Sequence, residues 1–338
     1  MEKQNESHIY AYDAIRIFAI FMVVFNHTRT YGFELYTVTS HPVSYYGSLI
    51  LAVLCKSAVP LFFMVSGALL LGKKESVRTV LQKRVLPFFV IFVVMYGLQY
   101  LRIAHAGGYE GYSIRQFLIC LLYEAPITPY WFLRTYLLFL LCLPLVRLIA
   151  VHLEEDTFIL LIGLMAGSTV LSYLNLFVHI PNSFNVPFLD TVLFYPLCGY
   201  YLSAKARKPQ SVLSMAVILA ITVLGSALLT GRMFVKHGYE GETWFGPVWL
   251  YAVLLFRLFQ RGNYRVGRPV LECLGSSIFG IYLIEDIVRN RLEFLIPIIS
   301  RDLTDLGGVL VYVAAVILVS AILVQIAKRI PGVRFFVR

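Results

Sequence analysis

Residues 13–27 read DAIRIFAIFMVVFNH, an apolar stretch with an arginine near its start and a histidine at its end. A run of this composition predicts a membrane-spanning helix, inside which a charged side chain is costly and usually functional. Eleven positions separate Arg16 from His27, and eleven residues of α-helix make three turns plus about 20°. Both side chains are therefore expected on one face of the helix, about 16 Å apart along its axis.

The composition of the whole chain excludes a soluble protein. Hydrophobic residues make up 59% of the 338 residues and charged residues 14%, whereas soluble domains carry about 25% charged residues. Apolar runs recur along the whole length, which predicts an all-α, polytopic membrane bundle rather than a barrel. The ten predicted spans are residues 10–30, 46–71, 85–104, 130–150, 157–178, 187–204, 211–230, 244–260, 270–291 and 306–328.

The loop charges predict the orientation of the bundle. If the N-terminus is cytoplasmic, the inside loops hold 18 of the 29 Lys and Arg residues and the outside loops hold eight. Because Lys and Arg favour the cytoplasmic side, we expect both termini in the cytoplasm. The net charge of +10 is then a consequence of topology, and nucleic-acid binding is not expected.

The sequence gives no sign of a second domain or of metal-dependent catalysis. No linker divides the chain, so we expect one integral-membrane domain over residues 1–338 without an appended soluble domain. The segment SIRQFLICLLYE, residues 113–124, is amphipathic and is predicted to lie at the membrane surface. The chain contains no G-x-S-x-G, H-E-x-x-H, Walker or CxxC pattern, so neither a serine nucleophile nor a metal site is predicted.

The three polar residues of the opening stretch have a functional and a structural interpretation. Asp13 precedes Arg16 by three positions and can hold its guanidinium on the same helix face. Alternatively, Arg16 extends to the inner interface and His27 packs at the outer one. The cost of placing charge inside a span favours a functional role.

Four segments, in this order, resemble acyltransferase family 3, whose members are bacterial membrane enzymes that modify surface polysaccharides and related envelope molecules. The first is the spacing formed by Asp13, Arg16 and His27. The others are KSAVPLFFMVSGALLLGKK (56–74), YWFLRTYLLFLLCLPL (130–145) and SSIFGIYLIED (276–286). The resemblance spans essentially the whole chain. Two positions differ from many members, since Lys56 stands where they carry Arg and Glu285 where they carry His.

The resemblance implies an activity. Such enzymes move an acyl group, most often acetyl, from cytoplasmic acyl-CoA to a hydroxyl of a sugar or another envelope molecule at the outer face. It also implies residence in a bacterial inner membrane, with acetyl-CoA as donor substrate and no permanently bound cofactor. His27 would be the general base, and Arg16 would steady the donor through charge-assisted hydrogen bonds. Direct transfer and an acyl-histidine intermediate both remain open, as do the acyl group and the acceptor.

A basic cluster precedes the third predicted span, in the stretch RTVLQKRVLP (78–87). Arg78, Lys83 and Arg84 lie just before Pro87, where the amino end of a helix also favours anions. These residues are therefore candidates for binding the phosphates of CoA. They would serve equally well as positive-inside anchors.

Four further residues are candidates for lining the site. Lys56 lies about ten residues into its span and needs an acidic, carbonyl or ligand partner. Arg134 can reach the outer surface, and Trp131 can belong to an interfacial aromatic belt. Glu285 needs a cation, for which Lys56 or Arg134 is expected. Glu285 has an equally strong alternative as one half of a purely structural ion pair.

A transporter or exporter is the alternative function, because buried charges in a helical bundle also mark permeation routes. Secondary transporters often contain paired repeats with interrupted helices, and the sequence shows no such repeat. Stabilisation of the solubilised protein by CoA would favour the enzyme.

Overall fold

The computed structural model describes residues 10–109, 111–122, 130–178, 189, 191–206, 210–237, 245–264, 267–299 and 304–337, without the side chains of 175–178 and 236–237. These residues are mostly helical and include no strand. The predicted all-α class is therefore confirmed.

Long helices and short ones alternate along the chain. In chain order the described α-helices are α1 (Tyr10–Asn26), α2 (Pro42–Cys55), α3 (Ala58–Leu70), α4 (Val77–Val80), α5 (Leu86–His105), α6 (Ile114–Leu122), α7 (Trp131–His152), α8 (Glu155–Val178), α9 (Phe194–Ala204), α10 (Val212–His237), α11 (Val248–Gln260), α12 (Arg268–Gly275), α13 (Ile278–Leu292), α14 (Leu295–Ile299) and α15 (Asp305–Ala327). A five-residue π-helical turn, Leu81–Val85, joins α4 to α5. The amphipathic segment predicted at the membrane surface forms α6.

Six segments of the described chain are long and apolar enough to cross a membrane. They are Pro42–Leu70, Val77–His105, Trp131–His152, Glu155–Leu174, Val212–Val235 and Asp305–Ala327. Each overlaps one of the ten predicted spans, with bounds that differ by up to eight residues. The other four predicted spans contain α1, α9, α11 and the α12–α13 pair, which are shorter helices. A total of ten crossings therefore stays a prediction.

The second predicted span is two helices, because α2 and α3 are separated at Lys56 and Ser57. Pro60 explains the break. Its nitrogen cannot donate to the carbonyl of Lys56 four positions earlier, and its ring would clash with that carbonyl. The backbone tightens at this point, and the amide of Lys56 donates to the carbonyl oxygen of Val53 at 3.2 Å. Lys56 consequently lies at a helix junction rather than within a continuous helix.

The ninth predicted span is also two helices, with α12 and α13 separated at Ser276 and Ser277. Both serine hydroxyls donate to the carbonyl oxygen of Cys273, at 3.0 and 2.9 Å. Such bonds compete with the helical ladder. Nζ of Lys328, just after α15, donates to the carbonyl oxygen of Ser276 at 3.0 Å. The end of α15 thus holds this junction in place.

Helix α1 lies among the other helices and contacts α2, α3, α11, α12, α13 and α15. Next to it, α3 and α9 pack with their backbones in contact. A methyl group at Gly67 would overlap the carbonyl of Pro196, and one at Gly199 would overlap the carbonyl of Met64. Small residues permit this close approach in membrane proteins. The packing fixes α3, and with it the junction that carries Lys56, against the centre of the bundle.

Candidate functional site

A cavity of about 1370 Å³ lies between α1, α3, α5, α7 and α13. Sites for small ligands usually have about 300–1,000 Å³, so this cavity has room for an extended ligand and part of a second one. The predicted site residues that border it are Arg16, His27, Lys56, Lys83, Arg84 and Trp131. The four that do not border it are Asp13, Arg78, Arg134 and Glu285.

The cavity has two chemically different ends, which are called here the basic end and the histidine end. The basic end contains Arg16, Lys83, Arg84, Ser276 and Arg334. The histidine end contains His27, Lys56 and Trp131. Because Arg16 lies on α1 and His27 directly follows α1, with its amide still bonded to the carbonyl of Val23 at 3.1 Å, the cavity extends over about 16 Å between them. The predicted common face of these two residues is therefore a wall of this cavity.

The histidine end is built around a pair formed by His27 and Glu285. Nδ1 of His27 lies 2.7 Å from Oε1 of Glu285. The Glu285 side chain is 0% exposed, whereas that of His27 is 19% exposed. A neutral imidazole that donates from Nδ1 has Nε2 as its proton acceptor. The pair thus has the arrangement of a general base oriented by a buried carboxylate.

The prediction that Glu285 pairs with Lys56 or Arg134 was wrong, because in the described part of the chain its carboxylate pairs with His27. The guanidinium of Arg289 is also near this carboxylate, with Nε 3.9 Å from Oε2 of Glu285. The neighbouring carboxylate, Asp286, pairs with Arg289 at 2.6 Å and with Arg102 at 2.8 Å. The two contacts of Arg289 follow from the helix, since Arg289 is four positions after Glu285 and three after Asp286, whereas Arg102 reaches Asp286 from α5.

Lys56 is held at the histidine end by aromatic rings. Its Nζ lies 4.5 Å from the ring centroids of both Phe33 and Phe245. An ammonium group over aromatic faces is stabilised by the ring quadrupoles. This arrangement fixes the cation without neutralising its charge, so Lys56 can still attract an anion or a developing negative charge in the cavity.

Arg134 does not border the cavity and instead bonds to backbone carbonyls. Its Nη2 donates to the carbonyl oxygens of Cys120 and Leu121, each at 3.2 Å, and its guanidinium lies 5.9 Å from the ring centroid of Tyr96. These bonds join α7 to the end of α6. Trp131, by contrast, is 45% exposed at the margin of the cavity, where its indole can contact a ligand.

Arg16 is positioned at the basic end by Asp13. Nη1 of Arg16 lies 3.4 Å from Oδ1 of Asp13, whose side chain is 5% exposed. Asp13 in turn packs against α12, because a methyl group at Gly275 would lie 2.6 Å from Oδ1. The predicted pairing of Asp13 with Arg16 is therefore present. The pairing holds Arg16 beside the junction of α12 and α13 at Ser276.

Lys83 and Arg84 lie on the π-helical turn Leu81–Val85, and both border the cavity. A π-turn is wider than an α-helical turn and is frequent at functional sites. Tyr136 on α7 also borders the cavity and interacts electrostatically with both Arg16 and Arg84. Arg78, one turn earlier, is exposed and lies away from the cavity.

Arg84 is also part of a second ion-pair group, which is centred on Glu75 between the segments Pro42–Leu70 and Val77–His105. Its Nε and Nη2 donate to Glu75 at 2.8 and 2.7 Å, and Nη2 of Arg147 donates to the same carboxylate at 2.8 Å. Hydrogen bonds from Arg84 and then Arg147 lower the pKa of Glu75 to about 2. Arg147 also donates to the carbonyl oxygen of Leu70 at 3.0 and 2.9 Å, which caps the end of α3.

Three features of the cavity could not be predicted from the amino-acid sequence. The His27–Glu285 contact joins residues 258 positions apart. The hydroxyl of Ser66 donates to that of Tyr136 at 3.2 Å, joining α3 to α7. Arg334 borders the basic end from beyond the last helix. Only the packing of the helices brings these groups together.

The profile of the acyltransferase 3 family, described as an acyltransferase domain, matches residues 9–325. The match includes both residues of the Arg16–His27 face and Glu285, and it ends before Arg334. No curated protein and no solved structure matches the chain significantly. Since the profile covers nearly the whole chain and the described helices include six able to cross a membrane, the chain belongs to acyltransferase family 3 and is a membrane acyltransferase.

Proposed function

We propose that the protein transfers an acyl group, most simply acetyl, from cytoplasmic acyl-CoA to a hydroxyl of a sugar or another envelope molecule at the outer face of a bacterial inner membrane. The observation that carries the proposal is that one cavity contains both the basic end and His27, whose Nδ1 is paired with the buried Glu285. The proposal includes ten spans with both termini in the cytoplasm, which places the basic end on the cytoplasmic side.

The donor fits the two ends of the cavity in one orientation. Coenzyme A combines anionic phosphates with an extended, neutral arm that ends in the thioester. The phosphates suit the cations Arg16, Lys83 and Arg84 at the basic end. The arm then follows the apolar wall formed by residues such as Phe88 and Phe279. This orientation presents the thioester to His27.

The histidine end can carry out the transfer. Glu285 holds Nδ1 of His27, so that Nε2 accepts the proton of the acceptor hydroxyl as its oxygen attacks the thioester carbonyl. A C–O bond forms, the C–S bond breaks, and the proton passes from Nε2 to the departing thiolate of CoA. Glu285 stabilises the transient imidazolium, and Lys56 stabilises the negative charge that develops on the carbonyl oxygen. Trp131 offers an indole face to the acceptor.

The test supplies labelled acetyl-CoA to the cytoplasmic face, using inside-out membrane vesicles from expressing cells. The variants are wild type, His27→Ala and, as a matched control, His41→Ala, since His41 is exposed and does not border the cavity. We expect label in envelope material from wild type and His41→Ala, and none from His27→Ala at equal expression. Equal labelling by His27→Ala would contradict the catalytic role of His27.

Binding of CoA by the purified protein separates this proposal from a transporter. We expect CoA to raise the Tm of wild type and of His27→Ala alike, because the phosphates contact the basic end rather than His27. A wild-type protein that neither labels envelope material nor responds to CoA would contradict the acyl-CoA donor and favour transport.

A further inference from the structure

The segment that follows α15 turns back to border the cavity. Gly332 has a φ of +86°, a conformation that favours glycine because it has no Cβ. The next three residues, Val333–Phe335, form a 3-10 turn. This turn brings Arg334 and Phe335 into the cavity wall at the basic end.

Contacts on both sides hold the turn in place. Before it, Nζ of Lys328 donates to the carbonyl and hydroxyl oxygens of Ser276, each at 3.0 Å. After it, Val337 is 5% exposed and packs on α13, where a methyl group at Gly280 would lie 3.2 Å from its Cβ. These two anchors hold the backbone of residues 333–335, and the exposed side chain of Arg334 borders the cavity there.

At the basic end, positively charged side chains outnumber their carboxylate partners. Arg16 and Arg84 have carboxylate partners, but Lys83 and Arg334 make no ion pair with any residue in the described part of the chain. Among the described residues, no carboxylate borders the cavity. Cations gathered around one space repel each other, and an anion placed between them relieves the repulsion.

We propose that Arg334 binds a phosphate group of the acyl donor, so that residues 328–337 form part of the donor site. The inference rests on the proposed function and deepens it. Arg334 lies beyond residue 325, where the family match ends, so membership of the family does not assign it this role. A guanidinium suits the task because it binds phosphate oxygens in a bidentate manner.

The experiment measures CoA binding by calorimetry in nanodiscs of phosphatidylcholine alone. It compares wild type with Arg334→Gln and with Arg329→Gln, a control in the same segment whose side chain is exposed and does not border the cavity. We expect Arg334→Gln to weaken CoA binding about tenfold and Arg329→Gln to leave it unchanged. Pantetheine, which has no phosphate, should bind wild type and Arg334→Gln equally. Wild-type CoA affinity in Arg334→Gln, or equal weakening by both variants, would overturn the inference.

A second variant tests the segment without removing its charge. Val337→Ala loosens the anchor on α13 and should weaken CoA binding by a smaller factor, at an unchanged Tm of the bundle. CoA affinity equal to wild type in Val337→Ala and in Arg334→Gln would mean that the segment does not contribute to the donor site.

A lipid headgroup carries the same phosphate chemistry, so a second set of nanodiscs contains phosphatidylglycerol. An effect of Arg334→Gln on CoA affinity in phosphatidylcholine alone supports the donor as the source of the phosphate. If Arg334→Gln keeps the wild-type CoA affinity and loses only the stabilisation that phosphatidylglycerol gives to wild type, the inference is overturned. Arg334 would then bind a lipid headgroup. If wild type binds no CoA at all, the proposed function fails, and that outcome is distinct from failure of Arg334 alone.

Discussion

Oε1 of Glu285 on α13 lies 2.7 Å from Nδ1 of His27, which directly follows α1. The contact joins α13 to the end of α1, and both helices border the cavity. The carboxylate of Glu285 is completely buried. A buried carboxylate needs a hydrogen-bonded or charged partner, so His27 and Glu285 stabilise each other as well as serving the proposed chemistry. Substitutions in this pair are therefore expected to change both the rate of acyl transfer and the stability of the fold, and the two effects can be measured separately.

Glu285→Gln should lower the maximal transfer rate about 10–100-fold while leaving the half-saturating acetyl-CoA concentration within about twofold. The amide oxygen can still accept from Nδ1, but it carries no charge to stabilise the imidazolium. Rates of label transfer at saturating acetyl-CoA check this. Glu293→Gln is the control, because Glu293 is exposed one residue beyond α13 and its loss should not change the rate. A rise in half-saturation with an unchanged maximal rate would indicate that Glu285 acts on binding.

Lys56→Met should abolish most transfer, whereas Lys56→Arg should retain a large part of it. Arginine keeps a cation between the rings of Phe33 and Phe245, and methionine keeps only the bulk. We expect a loss of at least tenfold for Lys56→Met, measured as label transfer at equal expression. Lys73→Met, at an exposed position, is the control. Equal activity of Lys56→Met and wild type would show that the cation has no part in the reaction.

The sequence was sufficient to predict the helical bundle and one wall of the cavity. Long apolar runs specify membrane helices because the bilayer leaves few alternatives. The helical period places Arg16 and His27 on one face, and the structure has both beside the same cavity. Pro60 explains why the second span breaks at Lys56, although that span was expected as a single unit.

The rest of the site depends on contacts between distant helices. No local pattern indicates that Glu285 pairs with His27 rather than with Lys56, since all three are polar groups in separate apolar segments. The role of Arg134 was similarly ambiguous, because its partners are backbone carbonyls at the end of α6. Backbone acceptors leave no trace in the amino-acid sequence.

Gly67→Ala should destabilise the protein more than a glycine substitution elsewhere in a span. The added methyl group would overlap the carbonyl of Pro196 where α3 meets α9, and overpacking of this kind costs about 1–3 kcal/mol. Gly163→Ala is the matched control, because a methyl group there has no atom within 4 Å. Thermal unfolding in detergent should show a lower Tm for Gly67→Ala alone. Identical Tm values would mean that the helices can separate without cost.

Acid should weaken the connection between Arg84, Glu75 and Arg147. The pKa of Glu75 is lowered from 4.5 to about 2 by the two guanidinium groups. Because the lowered pKa belongs to the folded state, the stability that Glu75 contributes is complete above about pH 4.5 and is lost as the pH falls toward 2. Glu75→Gln should lower Tm at pH 7 and reduce the difference in Tm between pH 5 and pH 3. Glu154→Gln, at an exposed position, should follow the wild-type curve, and a Glu75→Gln curve parallel to wild type would contradict the pairing.

Lys83 and Arg78 belong to the same basic cluster, but only Lys83 borders the cavity. Lys83→Gln should therefore raise the acetyl-CoA concentration for half-maximal transfer about tenfold without changing the maximal rate, because it removes a phosphate contact and leaves His27 intact. Arg78→Gln should leave both quantities unchanged. Both substitutions remove one positive charge from the start of the segment Val77–His105, so a general effect on membrane orientation would affect them equally. Equal rises in the two variants would show that the cluster acts only as a positive-inside anchor, whereas a rise confined to Lys83→Gln would identify the π-helical turn as a contact for the donor.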